Sequence, residues 1–467
     1  MESKNSKIDE IPSSLDQNIP NPRSWSVGTL TYTLSGLMVL FFWLLWGDFA
    51  WCMKERAAVP VAQLLLKQLK ASDMIVGLLV GSLPSAFGMI IGPMIGVMSD
   101  RHRGSWGRRI PFLLIPTPLI ALSMSGLAFT PFFGKHLHEF LGASSPGLMP
   151  STIIAFGFFW SLFEISTVIS NSVFGGLIND VVPPSVIGKF FGVFRAVSLL
   201  AGIIFNYWMI GKAETHFMEI FLGLAVLYAG GITVMCFKVK EGDYPSVATS
   251  AESSKGKIVT SNQCYMTECY AHPYYLWLFI ALAFGALAAG PVNTFSVFYA
   301  KSVGMTVDEY GKCVALTYAI SLSLAYFLGM AADRFHPLRI SIVVTVLYLL
   351  FMLWGGIFAV NKSTFTFAYI SHSVLSGAYL TGAASLLQRL LPKEKFGQLA
   401  SAAGIFNALS FTLLPPLVGF MLDFSGHIYR YTFLFSSLLS GLALISFLMV
   451  HHQFMKLGGH QNYSPPE

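Results

Sequence analysis

The chain has 467 residues, of which 54% are hydrophobic and only 11% charged, and its mean hydropathy is +0.63. Because about a quarter of the residues in an ordinary soluble domain are charged, this composition argues against a soluble protein and indicates an integral membrane protein. The net charge of +6 is spread over short loops, so we expect no nucleic-acid partner.

Twelve apolar stretches are near the roughly 20 residues that a helix needs to cross about 30 Å of hydrocarbon. They are residues 30–53, 74–98, 110–130, 150–179, 188–211, 215–237, 273–300, 306–330, 339–360, 365–388, 397–421 and 429–450. Their continuous apolar runs lack the period-two alternation of barrel strands. The predicted fold class is therefore an all-α membrane protein with twelve transmembrane helices.

The segments at the two ends, residues 1–29 and 453–467, are predicted to be cytoplasmic tails. Residues 1–26 lack the features of a signal peptide, and the basic loops fall mainly on the side of the termini, which the positive-inside rule makes cytoplasmic. We expect a multi-pass protein of the cytoplasmic or plasma membrane. The five cysteines form no pairing or zinc motif, so we predict free thiols, no metal and no cofactor.

The first span is followed directly by the charged residues Lys54, Glu55 and Arg56, and the apolar pattern then continues to Leu69. About forty residues at roughly 1.5 Å each exceed the hydrocarbon thickness. Either the three charged residues lie at the outer surface, with an interfacial helix over 57–69, or they face a cavity and belong to a binding site. Helix length favours the surface interpretation.

The loop between the second and third spans reads SDRHRGSWGRRIPF, and a shorter counterpart, AADRFHPLRI, lies at the same place in the second half. This repeat predicts two six-helix bundles, residues 30–238 and 273–452, joined by a polar cytoplasmic linker at 239–272, as in the major facilitator fold. Charges at a helix end that pair in one state and separate in another control opening. The candidate gate residues are Asp100, Arg101, Gly107, Arg108, Arg109, Asp333 and Arg334.

Ionisable side chains inside a span are costly and are functional candidates. Glu164 and Asn171 lie seven residues apart in the fourth span, hence on one helical face, and Arg195 in the fifth span is expected to approach that face. Together they predict a polyol site or a proton-coupled ion pair. In the second half, the polar candidates for substrate binding are Asn293, His372, Tyr379 and Gln388.

The DRHRGSWGRRIPF loop resembles that of sucrose:proton symporters and, more loosely, that of glycoside-pentoside-hexuronide:cation symporters of the melibiose permease type. Similarly, RAVSLLAG from Arg195 and GDFA around Asp48 resemble stretches of those permeases that contact sugar, which implies that both residues belong to a sugar site. The sugar-binding aspartate of their fourth span corresponds to Asn171 or Glu164. The stretch GMIIGPMIG has no carboxylate where the sodium-using permeases carry aspartates, so the resemblance does not extend to sodium.

The resemblance implies a secondary transporter that moves a sugar or glycoside by alternating access, and we expect a monomer. A buried carboxylate is the simplest proton carrier, with Glu164 as the first and Asp48 as the second candidate; a uniporter, which would need neither, is the alternative. The chain contains no nucleotide-binding, zinc-protease or nucleophile-elbow motif, so we predict that it is not an enzyme. The alternatives are a transporter of nucleosides, drugs or lysolipids and, from another class, a membrane receptor or sensor.

Overall fold

A computed structural model describes residues 24–244, 269–270, 272–392 and 395–466, apart from the side chains of 325–326, 328–333 and 460–461. The centre of the predicted linker, Cys264 and the side chain of Asp333 lie outside this description. A two-stranded antiparallel hairpin, β1 (Trp25–Val27) and β2 (Leu30–Tyr32), precedes the first helix. Cys52, Cys236 and Cys313 are buried free thiols.

Twelve long helices follow the hairpin within the described residues. They are α1 (Leu34–Gln68), α2 (Asp73–Arg101), α3 (Ile110–Ala128), α4 (Leu148–Val181), α5 (Ile187–Lys212), α6 (Phe217–Lys238), α7 (Pro273–Ser302), α8 (Val307–Phe335), α9 (Pro337–Phe358), α10 (Lys362–Ala383), α11 (Phe396–Phe424) and α12 (Tyr431–Lys456). Shorter helical segments cover Thr130–Leu141, Gly142–Ser144, Leu386–Leu390 and Gly459–Asn462. α7 is interrupted between Leu287 and Gly290.

Ten of the twelve helices are long and apolar enough, by length and composition, to cross a membrane. Of the other two, α10 carries more polar side chains, several of which line the cavity described below, and α8 includes positions whose side chains lie outside the described part of the chain. The nearly all-helical architecture confirms the predicted fold class. Thr130–Leu141 forms an additional helix that the sequence prediction did not include.

The prediction for the first span was wrong at its far end. α1 continues without interruption through Pro60 to Gln68, and its last four turns are buried rather than interfacial. A helix of 35 residues is about 52 Å long, so it extends well beyond one hydrocarbon thickness. The charged residues in its middle are therefore inside the protein.

The helices pack mainly within two groups. In the first half, α1 contacts α5 and α6, α3 contacts α4 and α6, and α2 contacts α4; in the second half, α9 and α7 contact α12, and α10 contacts α8 and α9. Between the halves, the main contacts are α2 with α11 and α5 with α8. The halves thus meet along two pairs of helices that flank a central space.

We call the membrane face where α1 begins and α12 ends the termini face, and the other the opposite face. The tightest contacts between the halves lie near the opposite face. A Cβ atom on Gly419 of α11 would lie 2.3 Å from the Asp73 carbonyl oxygen, and one on Gly311 of α8 would lie 2.2 Å from that of Asn206. Two π-helical turns, Gly77–Ser82 and Phe205–Met209, lie in these same regions, so the backbone adjusts where the halves touch.

Candidate functional site

A cavity of about 430 Å³ lies between the two halves. α1 and α5 form its wall on the first half, and α7, α8 and α10 form its wall on the second. Its polar surface consists largely of hydroxyl and amide groups. They belong to Gln63, Ser198, Asn206, Asn293, Tyr310, Thr317, Tyr318, Ser321, Tyr369, Ser373 and Ser376. We call this space the central cavity.

Glu55 and Arg56 line the central cavity, so the surface interpretation of these charged residues was wrong. The Arg56 guanidinium donates one hydrogen bond to Ser198 Oγ at 3.4 Å and one to Tyr318 Oη at 3.3 Å, and it lies 5.0 Å from the centre of the Tyr318 ring. Because Ser198 is on α5 and Tyr318 on α8, this planar cation joins the two halves inside the cavity.

Lys54 does not line the cavity, because its side chain points into the first half. It is 1% exposed, and its Nζ lies 4.1 Å from the ring centre of Trp51, with the rings of Phe163 and Tyr228 at slightly above 5 Å. It donates a hydrogen bond to Thr167 Oγ1 at 3.3 Å. An ammonium enclosed by aromatic faces in this way is stabilised by cation–π attraction.

Glu164 is buried with Lys54 nearby, at more than ion-pair distance. Arg195 was expected to be the cationic partner of this carboxylate, and the structure places it elsewhere. Its exposed side chain lines the central cavity and makes no ion pair with any described residue. Asn171 is also exposed, so Glu164, Asn171 and Arg195 do not form one cluster.

Asp48 is fully buried on α1, one turn before Cys52, whose thiol donates a hydrogen bond to its Oδ1 at 3.3 Å. The other oxygen, Oδ2, has no hydrogen-bond partner among the described residues. An unpaired carboxyl oxygen away from water is energetically costly. Asp48 therefore lies outside the cavity, in a site where one oxygen can still accept a hydrogen bond.

In the second half, Asn293 lines the cavity and His372 lies fully buried behind it. His372 Nε2 is 3.0 Å from Asn293 Oδ1, and its Nδ1 is 2.7 Å from the Tyr348 hydroxyl. The Tyr348 hydroxyl also lies 3.2 Å from the Ala288 carbonyl at the break in α7. His372 thus holds Asn293 in place and has no exposed surface with which to contact a substrate.

The structure places the two remaining candidates of the second half outside the cavity. Tyr379 is buried and donates a hydrogen bond to the Leu282 carbonyl at 3.2 Å. A Cβ atom on Gly285 would lie only 2.2 Å from this hydroxyl oxygen, so the tyrosine fits tightly against α7. Gln388 is exposed on the short helix Leu386–Leu390.

The gate residues of the first half form an ion-pair network at the termini face. Arg109 pairs with Asp100 at 2.5 Å, and both Arg108 and Arg109 bond to Asp180 at the end of α4. Hydrogen bonding to Asp180 raises the pKa of the Arg108 guanidinium. Arg109 also donates to Ser99 Oγ at 2.6 Å. Asp180 was not predicted, although a carboxylate that ends a span opposite two arginines is a recognisable signal.

Glu241, which follows α6, is a second residue that sequence reasoning missed. Its carboxylate accepts the backbone N–H groups of Arg108, Arg109 and Ile110 at 2.7–3.0 Å, and so it caps the start of α3. Gly107 has φ +93°, and a Cβ atom there would lie 2.5 Å from Glu241 Cδ. A glycine is therefore required at this turn.

Two further gate candidates, Arg101 and Arg334, have exposed side chains. Arg334 lies over the ring of Phe335 with its guanidinium carbon 5.5 Å from the ring centre. The described residues give neither arginine an ion pair. The ion-pair network at the termini face is therefore built from Asp100, Arg108 and Arg109 together with Asp180.

A different polar cluster joins the halves at the opposite face. The buried Asp73 carboxylate pairs with Lys67 at 2.5 Å and with His427 at 2.7 Å, and it accepts the Tyr429 hydroxyl at 3.2 Å. Asp423 accepts the backbone N–H groups of Asp73 and Met74 at 2.8 and 2.9 Å. Asp73, Asp423 and His427 lie close enough to share a cation, but Lys67 already neutralises Asp73.

Solved transporter structures are similar to this chain at low sequence identity. A mutant form of a peptide transporter has a TM-score of 0.66 at 16% identity, covering 91% of this chain and 95% of its own. A D-xylose–proton symporter has 0.65 at 12%, covering 91% and 98%. A mutant form of a nucleoside transporter has 0.62 at 11%, covering 88% and 99%. At these identities the similarity concerns the fold.

No curated protein sequence matches the chain. The sequence profile of one family, described as MFS/sugar transport protein, matches residues 26–394, which is most of the chain. Together with the helical fold and the cavity between two halves, this match identifies an integral membrane transporter and not an enzyme. The chain belongs to the MFS/sugar transport protein family of the major facilitator superfamily.

Proposed function

We propose that this protein carries a sugar or glycoside across the membrane by alternating access, with proton coupling. The observation that supports the substrate class is the central cavity. Its volume of about 430 Å³ lies within the range of small-molecule sites, and hydroxyl and amide groups cover much of its wall. Such groups form hydrogen bonds with a polyol and leave few of its hydroxyls unpaired.

Two guanidinium groups give the cavity its strongest hydrogen-bond donors. Arg56 uses two of its N–H groups on Ser198 and Tyr318, and Arg195 has no ion-pair partner among the described residues. Neighbouring sugar hydroxyls can accept two bonds from one planar guanidinium. We assign Arg56, Arg195 and Asn293 to substrate binding, with His372 as the residue that positions Asn293.

The proton-carrying group in this proposal is Glu164, with Lys54 as its counter-charge. Both are buried within the first half, away from the cavity wall. The protonation of a buried carboxyl depends on whether a cation remains beside it. A small movement of α1 against α4 would therefore couple proton uptake to the conformation of the wall that carries Glu55 and Arg56.

The halves are joined by polar contacts at the opposite face, whereas the ion pairs at the termini face connect residues of the first half with one another. We propose that this is the conformation open to the termini face, and that the termini face is cytoplasmic. Opening the other side requires the contacts of Asp73 and Asp423 to separate.

The test of the substrate class is equilibrium exchange in proteoliposomes, with a panel of radiolabelled monosaccharides, disaccharides, nucleosides and a lysolipid. The proposal predicts exchange of a sugar, and at least a tenfold loss of that exchange in Arg195→Gln. Lys189→Gln, a change of the same charge at an exposed position on the same helix, is expected to leave exchange unchanged. Exchange of nucleosides or lysolipid without any sugar would overturn the proposal.

A further inference from the structure

A second cavity, of about 500 Å³, lies at the termini face between the α2–α3 turn and the end of α6. Its lining includes Arg103, Trp106, Phe237, Lys240 and Tyr244. It is separate from the central cavity, with which it shares no lining residue. We call it the boundary pocket.

The boundary pocket opens at the edge of the membrane. Trp106 and Phe237 are 49% and 59% exposed, and their rings pack edge to face with centres 5.4 Å apart. Phe237 belongs to the last turn of α6, so the pair lies where that helix leaves the hydrocarbon. Aromatic side chains at this depth contact both acyl chains and headgroups.

Most of the acidic groups near the pocket are already engaged. The Glu241 carboxylate is occupied by three backbone N–H groups and the Tyr244 hydroxyl, which lies 3.1 Å from it. Burial raises the pKa of Tyr244, so this hydroxyl remains a donor. Asp180 and Asp100 are paired with Arg108 and Arg109.

Two cations line the pocket. Lys240 is exposed and forms no ion pair with any described residue. Arg103 donates to the Asp100 and His102 carbonyls at 2.7 and 2.8 Å, and its guanidinium carbon lies 5.6 Å from the Tyr244 ring centre. These contacts fix the guanidinium at the pocket wall. The acids of the lining are Glu241, whose carboxylate is occupied by the donors above, and Asp243, so the two cations share the pocket with one carboxylate that is not already engaged.

We propose that the boundary pocket binds an anionic phospholipid, with the phosphate between Arg103 and Lys240 and the acyl chains along Trp106 and Phe237. A phosphate pairs with the Lys240 ammonium and is attracted by the Arg103 guanidinium beside it. The exposed rings of Trp106 and Phe237 supply an apolar surface for acyl chains, which a soluble phosphate does not have. Because the wall combines the α2–α3 turn with the residues after α6, the bound lipid would stabilise the docking of these two segments.

The experiment uses the full-length protein, delipidated in detergent and titrated with phosphatidylglycerol or phosphatidylcholine, with bound lipid counted by native mass spectrometry. We expect at least a fivefold preference for phosphatidylglycerol in the wild type. The preference is lost in Arg103→Gln/Lys240→Gln and in the single variant Lys240→Gln, whose exposed side chain is not needed for folding. Lys189→Gln/Lys456→Gln removes the same charge from exposed positions on the same face and retains the preference.

Two results would overturn this inference. One is equal retention of phosphatidylglycerol by the wild type and by Lys240→Gln. The other is displacement of the lipid by millimolar glycerol phosphate, because a site that recognises the phosphate alone makes no use of the aromatic pair. The readout does not involve transport, so it is independent of the proposed sugar substrate.

Discussion

Asp73 and His427 connect the two halves at the opposite face, where the imidazole Nδ1 of His427 lies 2.7 Å from the buried Asp73 carboxylate. The Asp73 carboxylate also holds Lys67 and Tyr429. The contact joins the start of α2 with the loop between α11 and α12. The two halves cannot separate at the opposite face while the Asp73 carboxylate of the first half remains bonded to His427 and Tyr429 of the second.

Asp73→Asn is therefore expected to favour opening at the opposite face. The substitution keeps the shape but removes the charge that pairs with Lys67 and His427, and breaking a buried ion pair costs about 3–5 kcal/mol. We expect labelling of Val59→Cys, in the central cavity, by an impermeant maleimide from the opposite side to increase at least about tenfold. Asp308→Asn, in an exposed pair at the same face, is the control. Equal labelling of the two variants would exclude this role of Asp73.

Glu241→Ala is expected to destabilise the protein at the termini face. It removes the acceptor of three backbone N–H groups at the start of α3, and loss of a helix cap costs about 1–2 kcal/mol. Thermal unfolding in detergent should show a lower midpoint, with Glu241→Gln intermediate because its amide oxygen accepts hydrogen bonds without the charge. Asp243→Ala should unfold like the wild type; an equal loss in both variants would argue against capping.

Arg56→Lys should reduce sugar exchange at least about tenfold. The guanidinium reaches Ser198 and Tyr318 at once, whereas an ammonium is a point charge that cannot bridge α5 and α8 in the same way. Tyr318→Phe removes one of these bonds and should have a smaller effect. Tyr207→Phe, at an exposed position on α5, controls for the loss of a hydroxyl. Wild-type exchange in Arg56→Lys would contradict the assignment of this residue.

Replacements of His372 can separate its two contacts. The side-chain amide of glutamine places a nitrogen near the position of Nε2, so it can keep the hydrogen bond to Asn293. The shorter amide of asparagine places its nitrogen near the position of Nδ1, so it keeps only the hydrogen bond to Tyr348. We expect the apparent affinity for sugar to remain near that of the wild type in His372→Gln and to fall about tenfold in His372→Asn, the loss expected for a polar group left unpaired. Equal affinities would remove His372 from the binding account.

Much of the fold was predictable because membrane spans are defined by long apolar runs. The predicted ends of α4 and α6 lie within two residues of those observed, since a pair of prolines follows α4 and a charged segment follows α6. The far end of α1 was not predictable from hydropathy. Glu55 and Arg56 are charged, but the partner helices α5 and α8 enclose them around a polar cavity, and a single-sequence pattern does not contain that tertiary information.

The candidate site was predictable in part. A rule that marks charges within spans finds Glu164, Asp48 and Arg195, but it does not determine which of them lie together. The structure places Lys54 of α1 near Glu164 and places Arg195 in the central cavity instead, because the relative rotation of α1, α4 and α5 decides which faces meet. Tyr318 and Ser198 carry no signal in the sequence, since tyrosines and serines are frequent in membrane helices for packing reasons.

The measurement that tests the central claim most directly is sugar uptake into proteoliposomes with and without an inward proton gradient, in the wild type and in Glu164→Gln. Glu139→Gln, a charge change in an exposed pair outside the twelve long helices, is the control. The account predicts that the gradient drives accumulation in the wild type and in Glu139→Gln, and that Glu164→Gln loses accumulation but retains sugar exchange. Gradient-driven accumulation in Glu164→Gln at the wild-type level would contradict it.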